Sequence, residues 1–293
     1  MKDLSEIISE YNNTVYPSFT YQGIILNGSF DTFPVPYSPM EFRNGKYYLY
    51  ILRNNRFYIA SSTNGLNGWT FSESHFNYGN VFKDVTNYKN AYHKWIGGKA
   101  YYYFAVSNDG NIFSDISTIR NPHGEDITIV KLSNGKYRAY ARMNIPADGI
   151  RTIGVMESAN FLSWSSLTEI LNPADMNDYG KEYYSMSVIE TSNGFYGFLN
   201  VYDPVKQTVH VQLIFSQDGI NDWIKLHYGK SIIGSMKDRK QLYAAASLIN
   251  NEVYLVTISA KFKHDETDRN GRYYYSELWK IPINELYKFP KIL

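Results

Sequence analysis

Hydrophobic and polar positions alternate in a unit that recurs five times along the chain. In each unit a short turn containing Gly or Asn is followed at once by a segment rich in aromatic and apolar residues. The five segments are Asn44–Tyr50, Gly97–Phe104, Asn134–Tyr140, Asn193–Phe198 and Asn250–Val256. Such composition after a turn is typical of a β-strand whose pleated surface is at least half buried. The pattern predicts five copies of one sheet unit.

A second signal follows four of these strands: a Ser with an aromatic residue six or seven positions later. The four pairs are Ser62 with Trp69, Ser107 with Phe113, Ser158 with Trp164 and Ser216 with Trp223. Repetition at a period of tens of residues is typical of propellers, because one four-stranded blade cannot bury both of its faces alone. We therefore predict an all-β protein, a five-bladed β-propeller with four-stranded blades.

The repeats also predict where each blade lies. The blades are expected over residues 31–74, 78–119, 124–171, 179–233 and 240–283. Their innermost strands are expected near residues 34–42, 90–96, 126–132, 183–190 and 242–249. Blade 2 is expected to have a shortened outer edge, because little chain separates Phe104 from Asp126. No linker or change of composition interrupts residues 1–293, which are predicted to form a single domain.

Three segments fall outside the repeat. Residues 1–28 are expected to cap the propeller, with a short amphipathic helix over Met1–Tyr11, and Ile281–Tyr287 is expected to turn briefly helical. The charged segment Lys261–Gly271 is expected to be an exposed hairpin loop. The N-terminus lacks the continuous apolar stretch of a secretory leader. The sequence leaves three locations open: the cytoplasm, the exterior of the cell after removal of a leader, and a virion.

Composition narrows the classes of partner. The 293 residues carry a formal net charge of +1, with charges scattered singly, so we expect neither nucleic acid nor an anionic membrane surface as a partner. Cysteine is absent and the six His lack paired metal-ligand spacing, which predicts no metal centre and no cofactor. A structural calcium ion in the central funnel is left as an alternative, because carboxylate and backbone oxygens suffice to hold one.

Three acidic segments, each ahead of a repeat, carry a more specific resemblance. They are Ser29–Thr32, Glu125–Thr128 and Lys181–Met186. Together with the repeats, they resemble the five-bladed propeller glycoside hydrolases of families 43 and 32. Those enzymes place acids in the order Asp, Asp, Glu on the innermost strands around a funnel. The resemblance implies Asp31 as nucleophile or base, Asp126 as stabiliser and Glu182 as proton donor.

The chemistry of glycoside cleavage explains why such a set is needed. One carboxylate attacks or activates water while a second, protonated carboxyl donates to the leaving oxygen. Family 32 has Asn-Asp-Pro and Arg-Asp-Pro at the first two acids, whereas this chain has Phe30-Asp31-Thr32 and Glu125-Asp126-Ile127, which leaves the substrate class open. Glu125 is an alternative to Asp126, and Asp178 is an alternative to Glu182.

Further residues are candidates for binding sugar hydroxyls or stacking on sugar rings. They are Tyr37, His93, Arg142, Tyr184 and Tyr243, with Arg151 as a further basic side chain. The competing interpretation is that most of the 28 Tyr are core residues and that an Arg in a strand serves as a salt-bridge partner on the rim.

Two functions of different class follow from these patterns. The first, which we favour, is a glycoside hydrolase that cleaves a poly- or oligosaccharide with a carboxylate pair in the central funnel. The alternative is a non-catalytic propeller that binds glycan or serves as a structural module of a surface or virion assembly. In both cases the expected partner is carbohydrate, and the protein is expected to be a monomer or a component of a larger assembly.

Overall fold

The computed structural model describes residues 18–29, 35–36, 38–54, 56–75, 79–121, 125–144, 149–226, 230–233, 240–264, 266 and 273–288. Within these ranges the chain forms 21 strands and one short helix. The strands are grouped into five antiparallel sheets. Each sheet corresponds to one predicted repeat, so the all-β, five-bladed propeller is confirmed.

The strands are numbered along the chain. The first is β1 (Thr20–Ser29), and blade 1 follows with β2 (Val35–Pro36), β3 (Glu41–Arg43), β4 (Lys46–Arg53), β5 (Arg56–Ser62) and β6 (Thr70–Ser74). Blade 2 contains β7 (Asn80–Lys83), β8 (Tyr88–Ile96), β9 (Lys99–Ser107) and β10 (Ser114–Asn121). Blade 3 contains β11 (Ile127–Lys131), β12 (Tyr137–Asn144), β13 (Arg151–Ser158) and β14 (Thr168–Leu171).

Blades 4 and 5 complete the ring. Blade 4 contains β15 (Glu182–Thr191), β16 (Gly194–Asp203), β17 (Thr208–Ser216) and β18 (Ile224–Lys225). Blade 5 contains β19 (Gln241–Ile249), β20 (Glu252–Ala260) and β21 (Tyr273–Pro282), and it is followed by the helix α1 (Ile283–Leu286). The brief helical turn near residue 283 was predicted from the sequence.

Blade 5 takes its outermost strand from the other end of the chain. β1 pairs antiparallel with β21, from Thr20 opposite Lys280 to Ser29 opposite Tyr273. The prediction that residues 1–28 only cap the propeller is therefore wrong for the described part, where the segment is an integral strand that closes the ring. The predicted helix over Met1–Tyr11 lies outside the described residues.

Two-residue turns connect the strands within several blades. Asn44 and Gly45 have φ values of 50° and 72°, and Asn250 and Asn251 have values of 51° and 63°. Positive φ at both central residues is the type I′ geometry that matches the twist of a hairpin, and Asn and Gly adopt it at little cost. These local preferences explain why the turn residues recur ahead of each aromatic strand.

Hydrophobic clusters lie between neighbouring blades all the way around the ring. Each cluster contains residues of two adjacent blades: Tyr50 and Val81, Phe104 and Ala139, Tyr140 and Leu199, Phe198 and Leu255, and Leu49 and Val256. Each of these side chains is less than 2% exposed, apart from Val256 at 2%. Because a blade buries its faces only against its neighbours, closure of the ring completes the core.

The repeated Ser turn links the third and fourth strands of blades 1 to 4. In each turn the Ser hydroxyl accepts from the amide three residues later, on Gly65, Gly110, Phe161 and Gly219. These four residues have φ between 66° and 77°. Glycine suits that left-handed conformation, and the fully buried Phe161 adopts it because its ring packs between blades 2 and 3. Blade 5 lacks the turn because its fourth strand is β1.

Two details of the blade predictions are wrong. In blade 2 the innermost strand is β7, not residues 90–96, which belong to the second strand β8. Blade 2 also has a complete outer strand, β10, which pairs with β9 from Ser114 opposite Val106 to Asn121 opposite Ala100. The chain between Phe104 and Asp126 is therefore long enough for one further strand of eight residues.

Candidate active site

One end of the central channel is a cavity of about 360 Å³, which we call the funnel. It lies where the innermost strands begin. Its walls come from several blades and include Asn80, His93, Asp126, Thr128, Ser185 and Tyr243. Its volume is within the range of ~300 to 1,000 Å³ that is common for small-molecule sites.

Asp126 stands immediately ahead of β11 and lines this funnel. Its backbone has φ of 26°, an uncommon value for a residue other than Gly or Asn, and such outliers are concentrated at functional sites. Its Oδ2 lies 3.4 Å from Arg142 Nη1. Arg142 also contacts Glu125, and its side chain is only 8% exposed. One buried guanidinium therefore holds both neighbouring acids.

The funnel perturbs the ionisation of Asp126 and His93. Burial raises the pKa of Asp126, while the charges of Arg142 and His93 act in the opposite direction. Its side chain is 48% exposed and lines the cavity. Burial lowers the pKa of His93, against the attraction of Asp126 and Glu125. Burial thus disfavours the charged form of both groups, and the charge of each partly offsets the effect of burial on the other.

Glu182 is the first residue of β15 and forms an ion pair with Arg151. Two residues later the register between β15 and β16 shifts at Tyr184, which marks a β-bulge. The bulge places the Tyr184 ring beside both arginines, with its centroid 5.5 Å from Arg142 Cζ and 4.9 Å from Arg151 Cζ. Bulges re-aim side chains in this way next to functional sites. The two acids are thereby connected through Arg142, Tyr184 and Arg151.

A histidine that follows β20 in blade 5, His264, joins Tyr184 to Tyr243, which lines the funnel. His264 Nε2 lies 3.0 Å from the Tyr184 hydroxyl, and His264 Nδ1 lies 3.0 Å from the Tyr243 hydroxyl. The Tyr184 and Tyr243 rings are stacked with centroids 6.3 Å apart. The main chain of His264 is held as well, because its amide donates to Gln207 O at 3.0 Å. The described part of the segment predicted to be an exposed loop, residues 261–264 and 266, therefore includes a half-buried residue of the site.

The structure brings together most of the residues that the sequence nominated. Asp126, Glu182, His93, Arg142, Tyr184 and Tyr243 all belong to this end of the channel. Asp31 and Tyr37 lie outside the described residues, so their placement stays a prediction. Asp178, the alternative to Glu182, instead pairs with Lys225 at 2.6 Å and accepts from Tyr183 at 2.8 Å.

Two residues of the site were not nominated. His264 gave no sequence signal, because only the folding of a long connection brings it to β15 and β19. Trp95 lies two residues after His93 on β8, and its indole Nε1 donates to Glu125 Oε1 at 2.8 Å. The alternation of side chains along β8 from His93 was the one available signal for Trp95.

The described residues show no group of three or more His, Asp or Glu side chains arranged to hold a metal ion. No helix among the described residues has the length and apolar character needed to cross a membrane.

No family model matches the sequence, and no curated protein matches it. The fold, in contrast, matches many solved structures. A thermostable family-43 glycoside hydrolase is 16% identical, with 88% of this chain and 92% of that chain covered at a TM-score of 0.66. An endo-arabinase from Bacteroides thetaiotaomicron is 7% identical, with coverage of 90% and 97% and a TM-score of 0.64.

A third structure has a different reaction. The β-1,2-mannobiose phosphorylase from Listeria innocua, solved with β-1,2-mannobiose, is 13% identical, with coverage of 93% and 94% and a TM-score of 0.64. These identities show similarity of fold alone, and that fold is the one of the five-bladed propeller glycoside hydrolases and related enzymes. The resemblance seen in the sequence is confirmed at this level. The reaction has to be argued from the funnel itself.

Proposed function

We propose that this protein acts on carbohydrate as a glycoside hydrolase, with its substrate bound in the funnel. The observation that carries the proposal is that Asp126 and Glu182, acids from separate repeats, each pair with an arginine, and both arginines lie against the Tyr184 ring. Tyr243, which is half-buried and lines the funnel, offers a ring for the apolar face of a sugar. The fold similarity to carbohydrate-active propellers supports the same substrate class.

In the proposed mechanism two carboxyl groups share the reaction. Asp31 as a carboxylate removes a proton from water or attacks the anomeric carbon itself, and Glu182 donates a proton to the oxygen that leaves. Asp126 accepts hydrogen bonds from sugar hydroxyls, and its charge stabilises the positive charge that develops on the sugar ring. Arg142 and Arg151 keep Asp126 and Glu182 in place.

A specific observation favours a second function, non-catalytic glycan binding. Both described acids are held by guanidinium groups, Asp126 by Arg142 and Glu182 by Arg151. A carboxylate held in this way accepts hydrogen bonds readily from sugar hydroxyls. A proton donor, in contrast, has to release its guanidinium and carry a proton. Hydrolysis therefore requires that substrate binding separates Glu182 from Arg151.

The test combines binding and cleavage of arabino-, xylo-, galacto- and fructo-oligosaccharides. Glu182→Gln is expected to keep glycan affinity and thermal stability and to lower turnover by about 10²- to 10⁴-fold, because it removes proton donation. Glu190→Gln is the matched control, since Glu190 lies on the same strand at the opposite end of the channel, where its carboxylate accepts from Ser133. Glu190→Gln is expected to leave glycan affinity and turnover unchanged.

Each result separates the two functions. Cleavage by the wild type that is lost in Glu182→Gln and kept in Glu190→Gln supports the hydrolase. Binding without cleavage by the wild type supports the glycan-binding module. A wild type that neither binds nor cleaves any of the four series contradicts both functions and leaves a structural role.

A further inference from the structure

The β8–β9 hairpin of blade 2 extends beyond the innermost strand at the funnel end. The pairing of β7 with β8 ends at Asn80 opposite Ala91, whereas β8 continues to Ile96, opposite Lys99 of β9. Residues 92–96 therefore project past the start of β7, by roughly 16 Å at ~3.3 Å per residue. This extension forms a wall that rises from the funnel on the side of blade 3.

Trp95 lies on this wall above His93. Because side chains alternate along a strand, Ala91, His93 and Trp95 share one face of β8, and His93 lines the funnel. Trp95 is 51% exposed. All five Trp of the chain lie in the described ranges, and of these Trp223 and Trp279 are buried while Trp69 and Trp164 are partly buried. Trp95 is thus the single tryptophan with a largely open ring.

The polar end of Trp95 is anchored although its ring is open. Its indole Nε1 donates to Glu125 Oε1 at 2.8 Å. Glu125 is in turn held by Arg142, which also contacts Asp126. A chain of polar contacts through Glu125 and Arg142 therefore fixes the orientation of the indole relative to Asp126. An indole with its N–H bound and its face exposed is prepared to cover a flat apolar surface.

We propose that Trp95 is a platform on which a sugar ring of the bound glycan stacks, next to the unit held at Asp126. The inference rests on the proposed function of the funnel and extends it to a second sugar unit. The surroundings favour a sugar over an ionic ligand, because the wall combines hydrogen-bond acceptors with hydrogen-bond donors and carries no single sign of charge. The acceptors are the carboxylates of Glu125 and Asp126, and the donors are the side chains of Arg142 and His93. A sugar ring combines an apolar C–H face with hydroxyls that both donate and accept.

The platform makes a prediction about substrate length. A monosaccharide that occupies only the position at Asp126 does not reach the ring, whereas a trisaccharide covers it. Replacement of Trp95 by Ala is therefore expected to weaken trisaccharide binding by about three- to tenfold, the usual worth of one aromatic stacking contact, and to leave monosaccharide binding unchanged. Trp95→Phe keeps a flat ring and is expected to retain most of the trisaccharide affinity.

The experiment measures binding and protection of the indole together. Wild type, Trp95→Ala, Trp95→Phe and Ile96→Ala are titrated with the arabino-, xylo-, galacto- and fructo-trisaccharides and the matching monosaccharides. Ile96 is the matched control, because it is 52% exposed and points to the opposite face of the same strand. In parallel, oxidation of Trp95 by N-bromosuccinimide is followed by mass spectrometry with and without trisaccharide.

The expected result is slower oxidation of Trp95 in the presence of the bound trisaccharide, with a loss of affinity in Trp95→Ala that Ile96→Ala does not show. Trisaccharide binding that neither protects Trp95 nor weakens in Trp95→Ala overturns the platform and leaves the proposed function intact. Protection that grows with protein concentration without sugar overturns it in favour of contact between two copies. If no trisaccharide binds to the wild type, the proposed function and the platform fail together.

Discussion

Tyr184 Oη and His264 Nε2 lie 3.0 Å apart, so that a connection of blade 5 is joined to the first strand of blade 4 at the funnel. Gln241 Nε2 donates to Phe262 O at 3.1 Å, which turns Gln241 Oε1 toward His264 Nδ1 at 3.1 Å. From this network we assign the proton of the neutral imidazole to Nδ1 and the acceptor role to Nε2. Tyr184 then donates its hydroxyl proton to His264.

Replacement of His264 by Ala should weaken glycan binding. The imidazole orients Tyr184 and Tyr243, and the net worth of one neutral hydrogen bond, ~0.5 to 1.5 kcal/mol, corresponds to a loss of about two- to tenfold in affinity. Calorimetric titration with the tightest-binding oligosaccharide measures the change. Lys263→Ala is the control, because Lys263 is exposed in the same segment. Equal affinities for His264→Ala and wild type would show that His264 does not position the tyrosines.

Replacement of Arg142 by Met should move the acid side of the pH profile upward. Arg142 lowers the pKa of Asp126 against the effect of burial, so its loss raises that pKa further. If Asp126 acts as a carboxylate, glycan binding and turnover then fall at a higher pH. His93 offsets part of the change, because its own pKa rises when Arg142 is removed and its positive charge favours ionised Asp126. Glu125, which loses its own ion pair with Arg142, raises the pKa of Asp126 in the same direction, and Arg151 opposes it.

The measurement is affinity or kcat/KM against pH, for wild type, Arg142→Met and Arg142→Lys. Arg142→Lys keeps the charge and is expected to move the profile less than Arg142→Met. A profile that stays fixed in both variants would show that Asp126 does not titrate in the step that is followed.

Replacement of Glu41 by Gln should stabilise the protein at alkaline pH. Glu41 lies at the opposite end of the channel, where it accepts from Lys83 N at 2.5 Å and Arg43 Nη1 at 2.8 Å. Its side chain is 13% exposed, and burial raises the pKa of Glu41 to about 7, against the opposing effects of Arg43 and Lys83. The stability that this group contributes is therefore complete below its unfolded-state pKa of about 4.5 and is lost as the pH rises through about 7.

The shift in pKa sets the size of the effect at about 3 kcal/mol. Urea unfolding is expected to show Glu41→Gln more stable than wild type by up to this amount well above pH 7 and equal to it near pH 4.5. Glu73→Gln, on the exposed strand β6, serves as the control and should change stability little at either pH. A Glu41→Gln difference that does not vary with pH would contradict the assignment.

Replacement of Ser216 by Ala should destabilise the fold through its turn. The Ser216 hydroxyl accepts from Gly219 N at 2.9 Å, donates to Asn221 O at 2.5 Å, and is fully buried. Loss of these bonds leaves a buried amide without its acceptor, at a cost of about 1 to 3 kcal/mol in the free energy of unfolding. Chemical denaturation of Ser216→Ala measures this loss in the free energy of unfolding. Gln217→Ala is the control, because Gln217 is an exposed residue of the same turn. Similar stabilities of the two variants would contradict a structural role for the turn.

Local pattern was sufficient for most of the fold. The hairpins form where Asn44-Gly45 and Asn250-Asn251 adopt positive φ, and the Ser turns form where a hydroxyl and an Asn or Asp side chain can satisfy nearby amides. These are preferences of adjacent residues, so the sequence shows them directly. The turn-and-strand unit recurs five times and indicated the number of blades, and the Ser turn recurs in four of them.

Long-range pairing decided what the sequence did not show. Nothing near Thr20–Ser29 indicates that this segment pairs with β21, because the contact joins the two ends of the chain and is stabilised only when the ring closes. The innermost strand of blade 2 was misplaced for a related reason: β7 has only four residues, and its short run is visible as a strand only beside β8.

The same division applies to the site. The sequence by itself determined a five-bladed propeller, because turn chemistry and strand composition are local properties of the chain. Asp126 and Glu182 were named through the family resemblance, and His93, Arg142, Tyr184 and Tyr243 by their side-chain chemistry. Only the tertiary structure placed His264 between Tyr184 and Tyr243, paired each described acid with an arginine, and left the Trp95 ring open above His93. Those relationships depend on burial and charge across different blades, and such contacts exist only after the blades have packed around the channel.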